Sequence, residues 1–167
     1  MAGAAGYDPR PPESGYPDYL HRLAAGKDVH FLGAVADCEL PRLYRQAKAV
    51  VLPSVERTCY GRAIAVSELL GLVVLEAMAS ATPVICSRLG GLPEVVIDGG
   101  TGLLVPPGDV DALRDRISWL LADEKRARAL GDNGRDLVCQ RFTWQACAER
   151  CLAVYESLLS RRPWPDV

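Results

Sequence analysis

The chain has 167 residues, 49% of them hydrophobic and 24% charged, with a formal net charge of −2, the composition of a globular domain able to bury one sizeable core. No Lys/Arg block marks a nucleic-acid or anionic-membrane surface, and the longest apolar runs fall well short of the ~20 residues that span a bilayer. The start, Met-Ala-Gly-Ala-Ala-Gly, lacks the charged and apolar regions of a secretory signal, so a cytoplasmic protein with no nucleic-acid partner and no transmembrane segment is expected, with peripheral membrane contact left open.

Residues 1–15, with Pro9, Pro11 and Pro12, read as a loop or the remnant of a truncated first strand. A short helix is expected over Tyr16–Ala25, stopped by Gly26, then a buried strand over Val29–Leu32 closed by Gly33. Cys38–Ala47 reads as a helix with Leu40, Leu43, Tyr44 and Ala47 inward, and Ala49–Leu52 as a second strand ended by Pro53. Residues 54–67 carry no clear periodicity. A helix follows over Gly71–Ala79, then a strand over Pro83–Cys86, a short helical piece after Gly90-Gly91, and a strand over Leu103–Val105. The rest is helical: one helix capped by Asp109 with Val110, Leu113, Ile117, Leu120 and Leu121 on its apolar face, one over Lys125–Arg141 weakened near Gly131 and Gly134, and one capped by Thr143. Strands alternating with helices imply an α/β fold, a Rossmann-like doubly wound parallel sheet covered on both faces, with a C-terminal helical segment. One domain over residues 16–160 and a tail over 161–167 are expected.

The six cysteines form no C-x-x-C pair, and only His21 and His30 could supplement them, so they read as small buried hydrophobes and no metal site is implied. Trp119, Trp144 and Tyr155 sit at helical spacing and read as core. Ser67 and Ser87 have no His/Asp partner in a recognisable arrangement, and no G-x-x-x-x-G-K-[ST] loop is present, which leaves hydrolase and nucleotide-triphosphatase readings unsupported. Gly90-Gly91 and Gly99-Gly100-x-Gly102 read as turns, the second more firmly than the first.

The chemistry concentrates in Glu68-Leu-Leu-Gly71-Leu-Val-Val-Leu-Glu76. A helix beginning at Gly71 offers free backbone N–H groups and the positive end of its dipole, which attract phosphate. Carboxylates accept hydrogen bonds from hydroxyls and suit sugars and riboses. Phosphate flanked by polyols describes a nucleotide sugar. In a doubly wound sheet such a ligand binds at the carboxyl ends of the strands, where Gly33, Pro53-Ser54, Gly90-Gly91 and Pro106-Pro107-Gly108 are expected to meet.

Leu52-Pro53-Ser54, Glu68-x-x-Gly71-Leu72-x-x-x-Glu76-Ala77-Met78-Ala79, Thr82-Pro83-Val84, Gly90-Gly91-Leu92-Pro93-Glu94 and Thr101-Gly102-Leu103-Leu104-Val105-x-Pro107-Gly108-Asp109 together resemble the C-terminal domain of retaining GT-B glycosyltransferases, the group 1 family with sucrose synthases, sucrose-phosphate synthases and bacterial α-mannosyltransferases. The likeness covers roughly residues 29–160. It implies a transferase that moves a hexosyl group from a nucleotide-sugar donor with retention of configuration, without a metal or other cofactor. In the family's E-x7-E motif, Glu68 would contact donor-sugar hydroxyls and position the transition state, and is not taken as a nucleophile. Glu76 would hold the nucleotide ribose, while Leu70, Gly71 and Leu72 would lie against the diphosphate and sugar. Gly33 would border the nucleobase, with Ser54 nearby.

Three departures qualify the likeness. The upstream Arg and Lys that grip the diphosphate are represented only by Gly6-Tyr7-Asp8-Pro9-Arg10, similar to a Gly-Tyr-Asp-x-Arg variant, which makes Arg10 the candidate; no lysine follows at the expected distance. Val55–Ser67 is an insertion whose Arg57, Tyr60 and Arg62 are candidates to touch donor or acceptor, and whose Glu56 competes for the first glutamate; the Gly71-Leu72 context favours Glu68. The N-terminal Rossmann-like domain that binds the acceptor has no counterpart in these residues, so a missing domain or a separate chain is the expected partner. The acceptor itself is unknown, and the isolated chain is expected to be nearly inactive. A non-catalytic nucleotide-sugar-binding module is the alternative, with a GT-B-fold epimerase or phosphorylase as a third reading.

Overall fold

The computed structural model describes residues 15–64 and 68–161. Three short parallel strands, β1 (Val50–Leu52), β2 (Val84–Ser87) and β3 (Leu103–Val105), form a sheet in the order β1-β2-β3. Val50 to Leu52 pair with Val84 to Cys86, and Ile85 to Ser87 with Leu103 to Val105. Every residue of β2 and β3 is buried, as a parallel sheet covered on both faces requires.

Seven helices surround the sheet among the described residues: α1 (Tyr16–Ala24), α2 (Leu40–Gln46), α3 (Leu72–Ala79), α4 (Leu92–Val95), α5 (Val110–Leu121), α6 (Glu124–Arg141) and α7 (Trp144–Arg161). Strand alternation divides the core. Val84, Cys86 and Leu104 point to one face, where Val74, Ala77 and Met78 of α3, Leu92 and Val95 of α4 and Val138 of α6 meet them. Ile85, Leu103 and Val105 point to the other and pack with Leu120 of α5 and Leu130 of α6. Both crossovers, α3 and α4, thus lie on one face and α5 on the opposite one, while α6 contributes to both layers.

The caps expected at α5 and α7 form as read: the Asp109 carboxylate accepts from Ala112 N–H at 2.9 Å and the Thr143 hydroxyl from Ala146 N–H at 3.1 Å. Asp123 caps α6 in the same way, accepting from Arg126 N–H at 3.1 Å.

Four expectations are corrected. Val29–Leu32 forms no ladder among the described residues; Val29 and Leu32 are 39% and 49% exposed. A short apolar run marks a buried strand only where a sheet edge receives it, and Lys27, Asp28 and His30 around this run remain solvated. The glycines of α6 do not interrupt it, and packing requires them. A Cβ on Gly131 would stand 2.2 Å from the Ala81 carbonyl oxygen, and one on Gly134 would meet Thr101 O at 3.1 Å, so these glycines let α6 rest on the turn after α3 and the turn before β3. Five cysteines, Cys38, Cys59, Cys139, Cys147 and Cys151, are exposed, and only Cys86 is buried. Trp144, Tyr155 and Trp119 are 92%, 61% and 42% exposed and are not core, because periodicity reveals an apolar face without revealing what covers it.

α3 ends in a Schellman motif: Thr82 N–H donates to Ala77 O at 3.0 Å and Ala81 N–H to Met78 O at 2.9 Å. Ala81 occupies the left-handed position with φ 57°, where a Cβ costs roughly 1–2 kcal/mol. Ala81→Gly is therefore expected to raise unfolding stability by about 1 kcal/mol in urea denaturation. Gly131→Ala should lower it by roughly 1–3 kcal/mol, against the ~1 kcal/mol that helix propensity alone would add.

Candidate functional site

β1 ends at Leu52 and β2 at Ser87, and the segments that follow meet beside the start of α3. Gly71 is the N-cap of that helix, with φ 76°. A Cβ there would also fall 2.4 Å from Cδ2 of the fully buried Leu92, so backbone conformation and packing both demand glycine. The turn after β2 comes closer still. A Cβ on Gly90 would stand 1.9 Å from the Glu68 carbonyl oxygen, and one on Gly91 2.1 Å from that of Leu69. Gly90-Gly91 is therefore a seat for the 68–70 backbone as well as a turn. In the second glycine cluster only Gly99 has a left-handed φ, 74°, whereas Gly102 makes room for the Val84 and Val96 side chains.

This seat fixes Glu68. Its carboxylate accepts from Gly71 N–H at 2.9 Å through Oε1, and the Ser54 hydroxyl donates to Oε2 at 3.5 Å. Glu68 is thus tied to the helix start and to the end of β1, and a carboxylate has lone pairs beyond those two contacts. Val74 and Leu75 N–H donate back to Gly71 O. The amides of Leu72 and Val73 begin the helix without a carbonyl a turn earlier, and both residues are exposed, as are Leu69 and Leu70.

One turn into α3, Glu76 is exposed at the surface, and its Oε2 accepts from the Tyr44 hydroxyl at 2.8 Å. Burial first, then the hydrogen bond to Glu76 and its charge, push the Tyr44 phenol up to about 12. The sequence marks Tyr44 only as an inward-facing helical residue; a tyrosine on an apolar helix face has a hydroxyl to satisfy, and that is the one signal of this contact.

The remaining candidates separate. Gly33 is exposed and holds a β-bridge position with φ 65°, next to an open hollow of about 300 Å³ lined by Leu32, Ala34, Val35, Glu39, Arg42 and Leu43; no hydrogen bond joins it to Glu68 or Glu76 among the described residues. Arg10 and Ser67 lie outside the described residues. Residues 57–63 of the insertion make a small antiparallel turn with Arg57 bridged to Ala63, and the Arg57 guanidinium donates to the Gly61 carbonyl. Glu56 is exposed and joins this turn through its carbonyl, which accepts from Ile64 N–H at 2.8 Å. Just past β2, Arg88 donates to Asp98 at 2.9 Å, and Asp98 also accepts from Leu104 N–H at 3.0 Å, so this cation is paired. His30 is exposed and bonds Asp28 at 2.9 Å, and His21 lies against Phe31 with ring centroids 4.0 Å apart. No group of three or more His, Cys, Asp or Glu suited to a metal occurs among the described residues.

The model of the glycosyl transferases group 1 family matches residues 13–137. The chain belongs to the group 1 glycosyl transferases. It is 40% identical over 143 residues to the MMP alpha-(1->4)-mannosyltransferase of Mycolicibacterium hassiacum, covering 85% of this chain and 32% of that protein. It is 35% identical over 148 residues to the D-inositol 3-phosphate glycosyltransferase of Corynebacterium aurimucosum, covering 86% and 32%. Among solved structures it superposes on sucrose-phosphate synthase from Thermosynechococcus elongatus with a TM-score of 0.73 and 35% identity, over 96% of this chain and 38% of that one. Anabaena HepE in complex with UDP gives 0.71 and 26%, over 86% and 37%. The fold is that of a GT-B glycosyltransferase half, and the chain spans about a third of the length of these relatives. No helix among the described residues is long and apolar enough to cross a membrane.

Cys86, at the end of β2 beside this site, is fully buried, and its thiol is pushed up to about 12 by burial, then by Asp98 and Glu68. A thiol reagent at pH 8 should modify the five exposed cysteines of the native chain and leave Cys86 unmodified until the chain unfolds, as peptide mass mapping would show. Tyr44 and Cys86 keep protons in the folded state that the unfolded chain releases above pH 9–10. Stability should therefore be full below pH 9 and fall as pH rises towards 12, measured as a declining urea midpoint.

Proposed function

We propose that the chain is the donor-binding part of a transferase that moves a hexosyl group from a nucleoside-diphosphate sugar to an acceptor with retention of configuration. The observation that carries this is the pair of carboxylates on either side of one helix start: Glu68 tied back to the Gly71 amide, Glu76 on the same helix, in a chain of the group 1 family. A diphosphate set at the start of α3 meets the Leu72 and Val73 amides, which have no carbonyl a turn earlier, and the positive end of the helix. Glu68 then lies towards the sugar and Glu76 towards the ribose, with Gly71 against the phosphates and the base directed to the hollow beside Gly33. Arg10 is the proposed cation on the diphosphate.

In the reaction the bond between the anomeric carbon and the diphosphate oxygen breaks, the acceptor hydroxyl bonds to that carbon on the same face, and its proton passes to the departing diphosphate. Glu68 contributes by holding the sugar hydroxyls in place, a positioning effect made possible by its own fixed carboxylate. The exposed apolar side of α7, with Trp144, Leu152, Tyr155, Leu158 and Leu159, is the surface on which an acceptor-binding domain or chain would pack.

A non-catalytic nucleotide-sugar-binding module is the second reading, and one observation favours it: the cation just past β2, Arg88, is committed to Asp98, which leaves the helix start as the main positive element facing the diphosphate among the described residues.

Calorimetry with UDP-, GDP- and ADP-sugars should show weak binding of one of them and little transfer by the chain alone; a folded chain that binds none of the three sinks the site. Glu76→Ala should weaken nucleoside-diphosphate affinity roughly tenfold, in keeping with loss of a hydrogen bond to a charged group, and unchanged affinity would refute the ribose role. Glu68→Ala should weaken the nucleotide sugar while leaving the free nucleoside diphosphate nearly unaffected.

A further inference from the structure

Tyr44 is held at two points, and both lead to the same helix. Its hydroxyl donates to Glu76 Oε2 at 2.8 Å, in the middle of α3. Its carbonyl accepts from the Thr82 hydroxyl at 2.7 Å, and Thr82, only 2% exposed, is the residue whose N–H closes the Schellman motif at the end of α3. The ring packs against the buried cluster formed by α3, α4 and β2. Tyr44, Glu76 and Thr82 therefore close a loop in which the position of the phenol is set by the core and by the end of α3.

The last torsion of a glutamate side chain is broad and nearly two-fold, so an exposed carboxylate on a helix samples many orientations of its plane. A fixed O–H donor to one oxygen selects among them. The Oε1 atom and the second lone pair of Oε2 then remain for two neighbouring hydroxyls, the pattern a ribose diol presents. Because the phenol titrates only near 12, it stays a donor throughout the neutral range.

We propose that Tyr44 is a positioning residue for the Glu76 carboxylate, holding it ready for the vicinal hydroxyls of a nucleoside diphosphate. This rests on the donor-site reading above. Tyr44→Phe keeps the ring and its packing and removes only the donor, and an unchanged urea midpoint shows that the fold is intact.

The test is calorimetric titration of the 167-residue chain with UDP, GDP and ADP, followed by the 2′,3′-dideoxy form of whichever binds best. Tyr44→Phe should weaken the ribonucleotide roughly threefold to tenfold, the range of a single hydrogen bond and no more than the loss expected from Glu76→Ala. It should change dideoxynucleotide binding by less than about twofold, and add nothing in a Glu76→Ala background, as a coupled pair requires. Wild-type affinity in Tyr44→Phe, with Glu76→Ala weakened, overturns the positioning role and leaves the donor site standing. An equal loss for ribo- and dideoxynucleotides, or a further loss on top of Glu76→Ala, also overturns it. A wild-type chain that binds no nucleoside diphosphate overturns the donor-site reading and this inference with it.

Discussion

Backbone meets backbone at both ends of α3, and the site depends on it. At the start, Gly90 and Gly91 lie so close to the carbonyls of Glu68 and Leu69 that a Cβ at either position would overlap an oxygen. At the finish, Gly131 of α6 does the same for the carbonyl of Ala81. Side chains between two elements would hold them at the usual 8–10 Å interaxial separation; their absence here seats α3 between a turn and a helix. The strain this seating carries falls on Ala81, which is left-handed with a Cβ, whereas glycine relieves the same conformation at position 71; it is offset by the core that α3 completes with Val74, Ala77 and Met78.

A helix seated in this way presents its polar groups in fixed positions. Glu68 precedes the helix and folds back on its first amide. Glu76 lies one turn in and is met by Tyr44 from α2, which Thr82 ties in turn to the helix end. The two carboxylates are thus oriented by different means, one by its own helix and one by a neighbour. Preorganisation of this kind matters for a polyol ligand, whose many weak hydrogen bonds are worth little if the acceptors must first be ordered.

Much of the architecture was legible because local signals agreed. β1, β2 and β3 are apolar runs bounded by proline or glycine, α5 and α7 begin at Asp109 and Thr143, and the Glu68…Glu76 spacing around Gly71 marked the helix start. The misreadings share one physical cause. Side-chain chemistry reads Val29–Leu32, Trp144, Tyr155 and five of the cysteines as buried, whereas Val29, Leu32, Trp144, Tyr155 and those cysteines are exposed, because burial is a relation between two surfaces and a sequence describes only one. Gly131 and Gly134 err in the opposite direction: a helix interior glycine is costly by itself, and its use shows only against the Ala81 and Thr101 carbonyls.

The sequence by itself determined where strands, helices and caps fall and which carboxylates flank a phosphate-attracting helix start, since periodicity, capping chemistry and charge act over a few neighbouring residues. Tertiary structure alone decided that Gly90-Gly91 seats the 68–70 backbone, that Tyr44 reaches across 32 residues to Glu76, and that one face of α7 stands open to solvent. These depend on distances between segments remote in the chain, and such distances are set by how the core closes.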